Sequence, residues 1–104
     1  NGMRFRLKNR EHRPGPWRTL AAYPTAQFKD ATGCGDWCSA GLIHNLEGIS
    51  RAGYTRLSEA RFLEGLRFGQ ALAAVNCQFE GARGPMYQLS SAEVLAQTKK
   101  ILAG

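Results

Sequence analysis

The chain has 104 residues, enough for one small domain with a modest core. Hydrophobic residues make up 43% and charged residues 21%, which excludes a disordered chain, and no apolar run reaches the length of a membrane span. The formal net charge is +6, and Arg4, Arg6, Lys8, Arg10, Arg13 and Arg18 against Glu11 place +5 in the first 18 residues.

That excess suits either an anionic partner or the solvated face of a strand pair. No helix-turn-helix, zinc-finger or RNA-binding aromatic motif accompanies it, so the sequence does not favour nucleic acid. The opening residues alternate charged with apolar side chains, which is not the pattern of a targeting segment. Cys34, Cys38 and Cys77 are an odd number without the spacing of a small secreted scaffold. This favours reduced thiols and a cytoplasmic setting.

Met3, Phe5 and Leu7 alternate with Arg4, Arg6 and Lys8, the period-two pattern of a half-buried strand. His12-Arg13-Pro14-Gly15-Pro16 breaks the pattern. Trp17 to Tyr23 supplies a second strand, so residues 3–24 are expected to form an antiparallel hairpin with a long loop. Ala26-Gln27-Phe28-Lys29 then leads, extended, into a glycine-rich turn.

Turn and first helix together span 30–48, with Trp37, Ala40, Ile43 and Leu46 on the core face and Gly48 as the stop. A second helix is expected over 58–79, capped by Ser58 and stapled by Leu57 onto Phe62. Its stripe is Phe62, Leu66, Gly69, Ala73 and Cys77, broadened by Leu63, Leu72 and Val75. Phe79 falls in this helix or just past it. Glu80-Gly81-Ala82-Arg83-Gly84-Pro85 reads as a loop. Ser90-Ser91-Ala92-Glu93 is a capping box opening a last helix over 91–103. The expected class is α/β, a hairpin followed by three helices. One hairpin covers too little of three broad apolar faces, so the chain is expected either to associate with something or to be a piece of a longer protein.

The chemistry concentrates in Asp30-Ala31-Thr32-Gly33-Cys34-Gly35-Asp36, which runs into a helix. Glycines let backbone N–H groups approach an anion, and the helix start adds its positive end. Asp36 stands at the junction, where the helix dipole also favours a carboxylate. The spacing of Cys34 and Cys38 suits small core-lining side chains, and His12 and His44 have no cluster for zinc.

The stretch from Asp30 to Asp36, continued by Ala40-Gly41-Leu42-Ile43, resembles the C-terminal signature of the ribokinase-like (PfkB) carbohydrate kinases. Phe68-Gly69-Gln70-Ala71-Leu72-Ala73-Ala74-Val75 resembles the alanine-rich helix that follows it in the family, and Gly81-Ala82 the family's Gly-Ala loop. The resemblance covers essentially all of this chain but only the C-terminal part of the family's fold. It implies ATP with Mg2+ as phosphoryl donor and a sugar or related small molecule as acceptor. It makes Asp36 the general base, and Gly33, Cys34 and Gly35 the anion hole. Gln70, Gly81 and Ala82 fall at nucleotide-binding positions. Asp30 and the 81–85 loop match a region that holds a monovalent cation such as K+ in many members.

The chain departs from the family pattern in Ala31, Cys34 and Trp37. The family's sugar-contacting half has no counterpart here. The resemblance therefore implies a fragment that is inactive alone and is completed by the rest of the kinase fold or by another copy of the chain. The alternatives are a non-catalytic nucleotide-binding relative and a basic nucleic-acid-binding module.

Overall fold

The computed structural model describes residues 2–8, 11, 13–24, 28–50, 52–53 and 56–104. Arg10, His12 of the breaker and Ala26-Gln27 of the extended lead lie outside the described residues.

Strands β1 (Gly2–Phe5) and β2 (Arg18–Ala21) pair antiparallel, with Met3 opposite Leu20 and Phe5 opposite Arg18. The alternation holds: Met3, Phe5 and Leu7 are half-buried, and Arg4, Arg6 and Lys8 are exposed. The strands are shorter than the sequence pattern. Beyond them, among the described residues, a Lys8–Pro14 bridge and a bond from Gly15 N to the Leu7 carbonyl (2.7 Å) continue the pairing. Pro14 and Pro16 have no N–H to donate to a ladder. On the outer face the guanidinium groups of Arg4 and Arg6 lie 4.9 and 4.5 Å from the centre of the Trp17 ring.

Four helices are defined among the described residues, one more than the sequence pattern indicates. They are α1 (Cys34–Asn45), α2 (Glu59–Asn76), α3 (Gly84–Gln88) and α4 (Ser91–Ala103). The added one, α3, starts inside the expected loop, where Pro85 in its first turn has a backbone angle already set for a helix. The Ser58 side chain caps α2 by accepting from Arg61 N. The Ser90–Glu93 capping box opens α4 with both reciprocal bonds present. Helix α2 stops at Asn76, so Phe79 lies past it.

The core is built around α2, which is buried from Phe68 to Asn76 without a break. Helix α1 crosses it at glycines. A Cβ on Gly69 would stand 2.4 Å from the Cys38 carbonyl oxygen, and one on Gly41 would stand 2.8 Å from the Gly69 Cα. This close approach corrects the expected face of α1. Cys38, Gly41 and Leu46 are buried, whereas Ala40 is exposed and Ile43 is 69% exposed. Small residues permit the nearest backbone contact, and that contact sets the helix rotation in place of the larger apolar side chains. Arg61 closes the other end of α1, donating to the Asn45 side chain (2.5 Å) and to its carbonyl (2.7 Å). Arg18 of β2 pairs with Glu59 at the start of α2. Among the described residues no helix is long and apolar enough to cross a membrane.

Candidate functional site

The glycine-rich turn is anchored on the C-terminal end of α2. Lys29 N and Asp30 N both donate to the Cys77 carbonyl, at 2.7 and 3.3 Å. Asp30 then closes an Asx turn: its Oδ1 accepts from the Thr32 hydroxyl (2.6 Å) and from Thr32 N (3.0 Å). Its Oδ2 accepts from Gly81 N at 3.0 Å, which reaches across to the Gly-Ala loop. The Thr32 hydroxyl, then the Gly81 and Thr32 N–H groups, hold the Asp30 carboxyl well below the usual carboxylate range, at about 2.

Gly33 is the N-cap of α1, with φ 80° and ψ 0°, and no side chain caps the helix. The left-handed conformation favours glycine here, and so does the space: a Cβ would fall 2.8 Å from the Ala82 Cβ. Cys34 N bonds back to Ala31, and Trp37 N to Gly33. The first-turn N–H groups of Gly35 and Asp36 lie where a helix offers donors to an external acceptor. Both residues are exposed, and a Cβ on Gly35 would meet nothing within 4 Å. The Asp36 carboxylate stands in this first turn beside those donors. Gly81, with φ 81°, turns the chain so that the Ala82 carbonyl accepts from the Trp37 indole at 2.6 Å.

The fold thus gathers Asp30, Gly33, Cys34, Gly35, Asp36, Gly81 and Ala82 around one helix N-terminus, although Gly81 is 45 residues away from Asp36 in the chain. Gln70 stands apart from this cluster. It is buried on α2, donates to the Leu20 carbonyl of β2 (3.4 Å), and accepts a weak bond from the Cys38 thiol (3.8 Å). It shares a cleft of about 480 Å³ with Cys34, Gly35, Ser39, Tyr23 and Phe28, so the cleft joins Gln70 to the turn.

Asp30 acts as a clasp. Both of its oxygens already accept hydrogen bonds, so a monovalent cation there has to compete with three donors. Among the described residues no group of three or more His, Cys, Asp or Glu side chains is placed to hold a metal ion. The donors at the head of α1 do suit a phosphate chain, whose own oxygens can ligate a Mg2+ ion that otherwise keeps its waters.

Cys34 and Cys77 are disulfide-bonded, with their Cα atoms 6.7 Å apart, which replaces the expectation of three reduced thiols. The cause is the anchoring of the turn on Cys77, which brings together cysteines 43 positions apart. Cys38 is free and buried, and burial pushes its thiol pKa up.

Three residues that shape the site carry no catalytic pattern in the sequence: Thr32, Trp37 and Asn76. The signal for Asn76 is an amide at the end of an alanine-rich apolar run. No family model, curated protein or solved structure matches this chain.

Proposed function

We propose that this chain is the phosphate-handling part of an ATP-dependent kinase acting on a hydroxyl of a sugar or related small molecule. The observation that carries the reading is the uncapped head of α1, with left-handed Gly33 before it and exposed Asp36 in its first turn. The Gly33 and Gly35 N–H groups of the turn stabilise charge on the phosphoryl group in flight, whereas the Cys34 N–H expected in the anion hole is taken by the Ala31 carbonyl. The acceptor oxygen bonds to the γ-phosphorus, its proton passes to the Asp36 carboxylate, and the bond to the departing ADP oxygen breaks. Gly81 and Ala82 hold the turn from the side, and the cleft beyond Gly35, with Gln70 on its wall, suits the nucleotide. The acceptor pocket is supplied by the rest of the kinase fold or by another copy of the chain, and residues 1–104 alone are inactive. No step is routed through a monovalent cation.

The test is Asp36→Asn in the full-length protein, assayed with ATP and a panel of sugars and nucleosides. Turnover falls by about 10²- to 10⁴-fold while ATP affinity stays within about threefold. A variant that turns over as fast as the wild type overturns Asp36 as the base. A wild type that binds ATP without phosphorylating any acceptor supports the non-catalytic nucleotide-binding reading instead.

A second reading rests on the hairpin, where Arg4 and Arg6 are stacked on Trp17 and the outer face is basic. A nucleic-acid ligand there would bind with an affinity that drops steeply with salt and depends on both arginines.

A further inference from the structure

Asn76 is the last residue of α2 and is fully buried, at 0% exposure. Its Nδ2 donates to the Thr32 carbonyl at 2.9 Å and also contacts the Cys34 sulfur at 3.4 Å. Its Oδ1 is buried without a hydrogen-bond partner among the described residues. An apolar side chain would avoid burying that unpaired acceptor. What the amide contributes at this position is its NH2 group, which donates to the Thr32 carbonyl and, more weakly, to the Cys34 sulfur.

The target of that donor matters. A trans peptide is planar, with its C=O and N–H pointing in opposite directions. Holding the Thr32 oxygen against the end of α2 turns the Gly33 N–H the other way. It also keeps a partly negative carbonyl oxygen from facing a bound anion. Left without its partner, that part-buried carbonyl would no longer be held against the end of α2 and would be free to turn toward other donors.

We propose that Asn76 is a positioning residue for phosphoryl transfer. It orients the Thr32–Gly33 peptide so that the turn presents N–H groups, and not a carbonyl, to the transferred phosphate. This deepens the reading of the turn as an anion hole and rests on it. Asn76 itself touches neither substrate nor nucleotide.

The experiment compares Asn76→Leu and Asn76→Asp with the wild type in the full-length protein, each assayed well below its own melting temperature. In both variants kcat for ATP-dependent phosphorylation falls at least about tenfold at neutral pH, a fraction of the loss seen when an anion-hole donor is deleted. KM for ATP moves much less. The Thr32 carbonyl carbon shifts in the NMR spectrum, and the Gly33 and Gly35 amides shift with it. The aspartate variant adds a pH signature. A buried carboxyl has a raised pKa and on protonation regains an O–H donor. Its kcat deficit relative to wild type therefore shrinks as pH falls, while that of the leucine variant does not.

Folded variants that keep wild-type kcat, or that leave the Thr32 and Gly33 signals in place, overturn the assignment of Asn76 alone. A wild type that phosphorylates no acceptor, whether or not it binds ATP, overturns the phosphoryl-transfer reading, and this inference with it.

Discussion

The indole N–H of Trp37 donates to the Ala82 carbonyl across 2.6 Å, and this bond joins the first turn of α1 to the loop after α2. Trp37 is half-buried, but the bond itself lies on the exposed side of the site. Trp37→Phe keeps most of the ring and removes the donor. It should destabilise the fold by about 1 kcal/mol and speed amide exchange in the 81–83 loop. Denaturant melts with hydrogen exchange check both, and unchanged exchange in that loop would show that the bond does not hold it.

Gly33 and Gly48 both have positive φ, 80° and 84°, but only Gly33 is crowded. Gly48→Ala should cost about 1–2 kcal/mol, for the left-handed backbone alone. Gly33→Ala should cost a further ~1–3 kcal/mol, because the new Cβ overpacks against Ala82. Equal losses in urea melts of the two variants would mean that the Ala82 contact yields freely.

Acid should loosen the turn through Asp30. Its folded pKa, about 2, lies below the ordinary aspartate value of 3.8. A depressed carboxylate pKa contributes stability that is present above the unfolded value and is lost as pH falls through the folded one. The window is therefore from about pH 4 down to about pH 2. Asp30→Asn should melt below the wild type at neutral pH, with the gap narrowing across that window. A gap that stays constant with pH would remove Asp30 as the source. Glu93, held down by its bonds to Ser90, adds a contribution of the same sign at the start of α4.

The bond between Cys34 and Cys77 closes a long loop. On the chain-entropy account a loop of this size contributes up to about 4 kcal/mol. A thiol reductant should lower the melting temperature of the wild type and leave a Cys34→Ser/Cys77→Ser double variant unchanged. Thiol titration of the denatured chain should find Cys38 alone before reduction and all three cysteines after it. Three titratable thiols without reductant would overturn the pairing.

Local chemistry made much of the architecture readable along the chain. Alternation over Met3 to Lys8 marked a strand because a strand turns successive side chains to opposite faces. Ser58, and Ser90 with Glu93, marked helix starts because orphan N–H groups need acceptors within three residues. The head of α1 was readable for the same reason, since Gly33, Gly35 and Asp36 form the helix start from consecutive stretches of their own backbone. The short helix α3 escaped this reading because its Gly81-Ala82-Arg83-Gly84-Pro85 lead looks like a loop until Pro85 is seen starting a turn.

Local pattern determined where the chain bends, where its helices begin, and which seven residues form the glycine-rich turn. It did not decide which face of α1 is buried, because the glycines at 41 and 69 bring two backbones together and override the larger side chains. Nor did it pair Cys34 with Cys77, seat Gly81 on Asp30, or aim Asn76 at Thr32. Each of these joins residues more than forty positions apart in the chain, and only the packing of the turn and α1 against the end of α2 brings them within bonding distance.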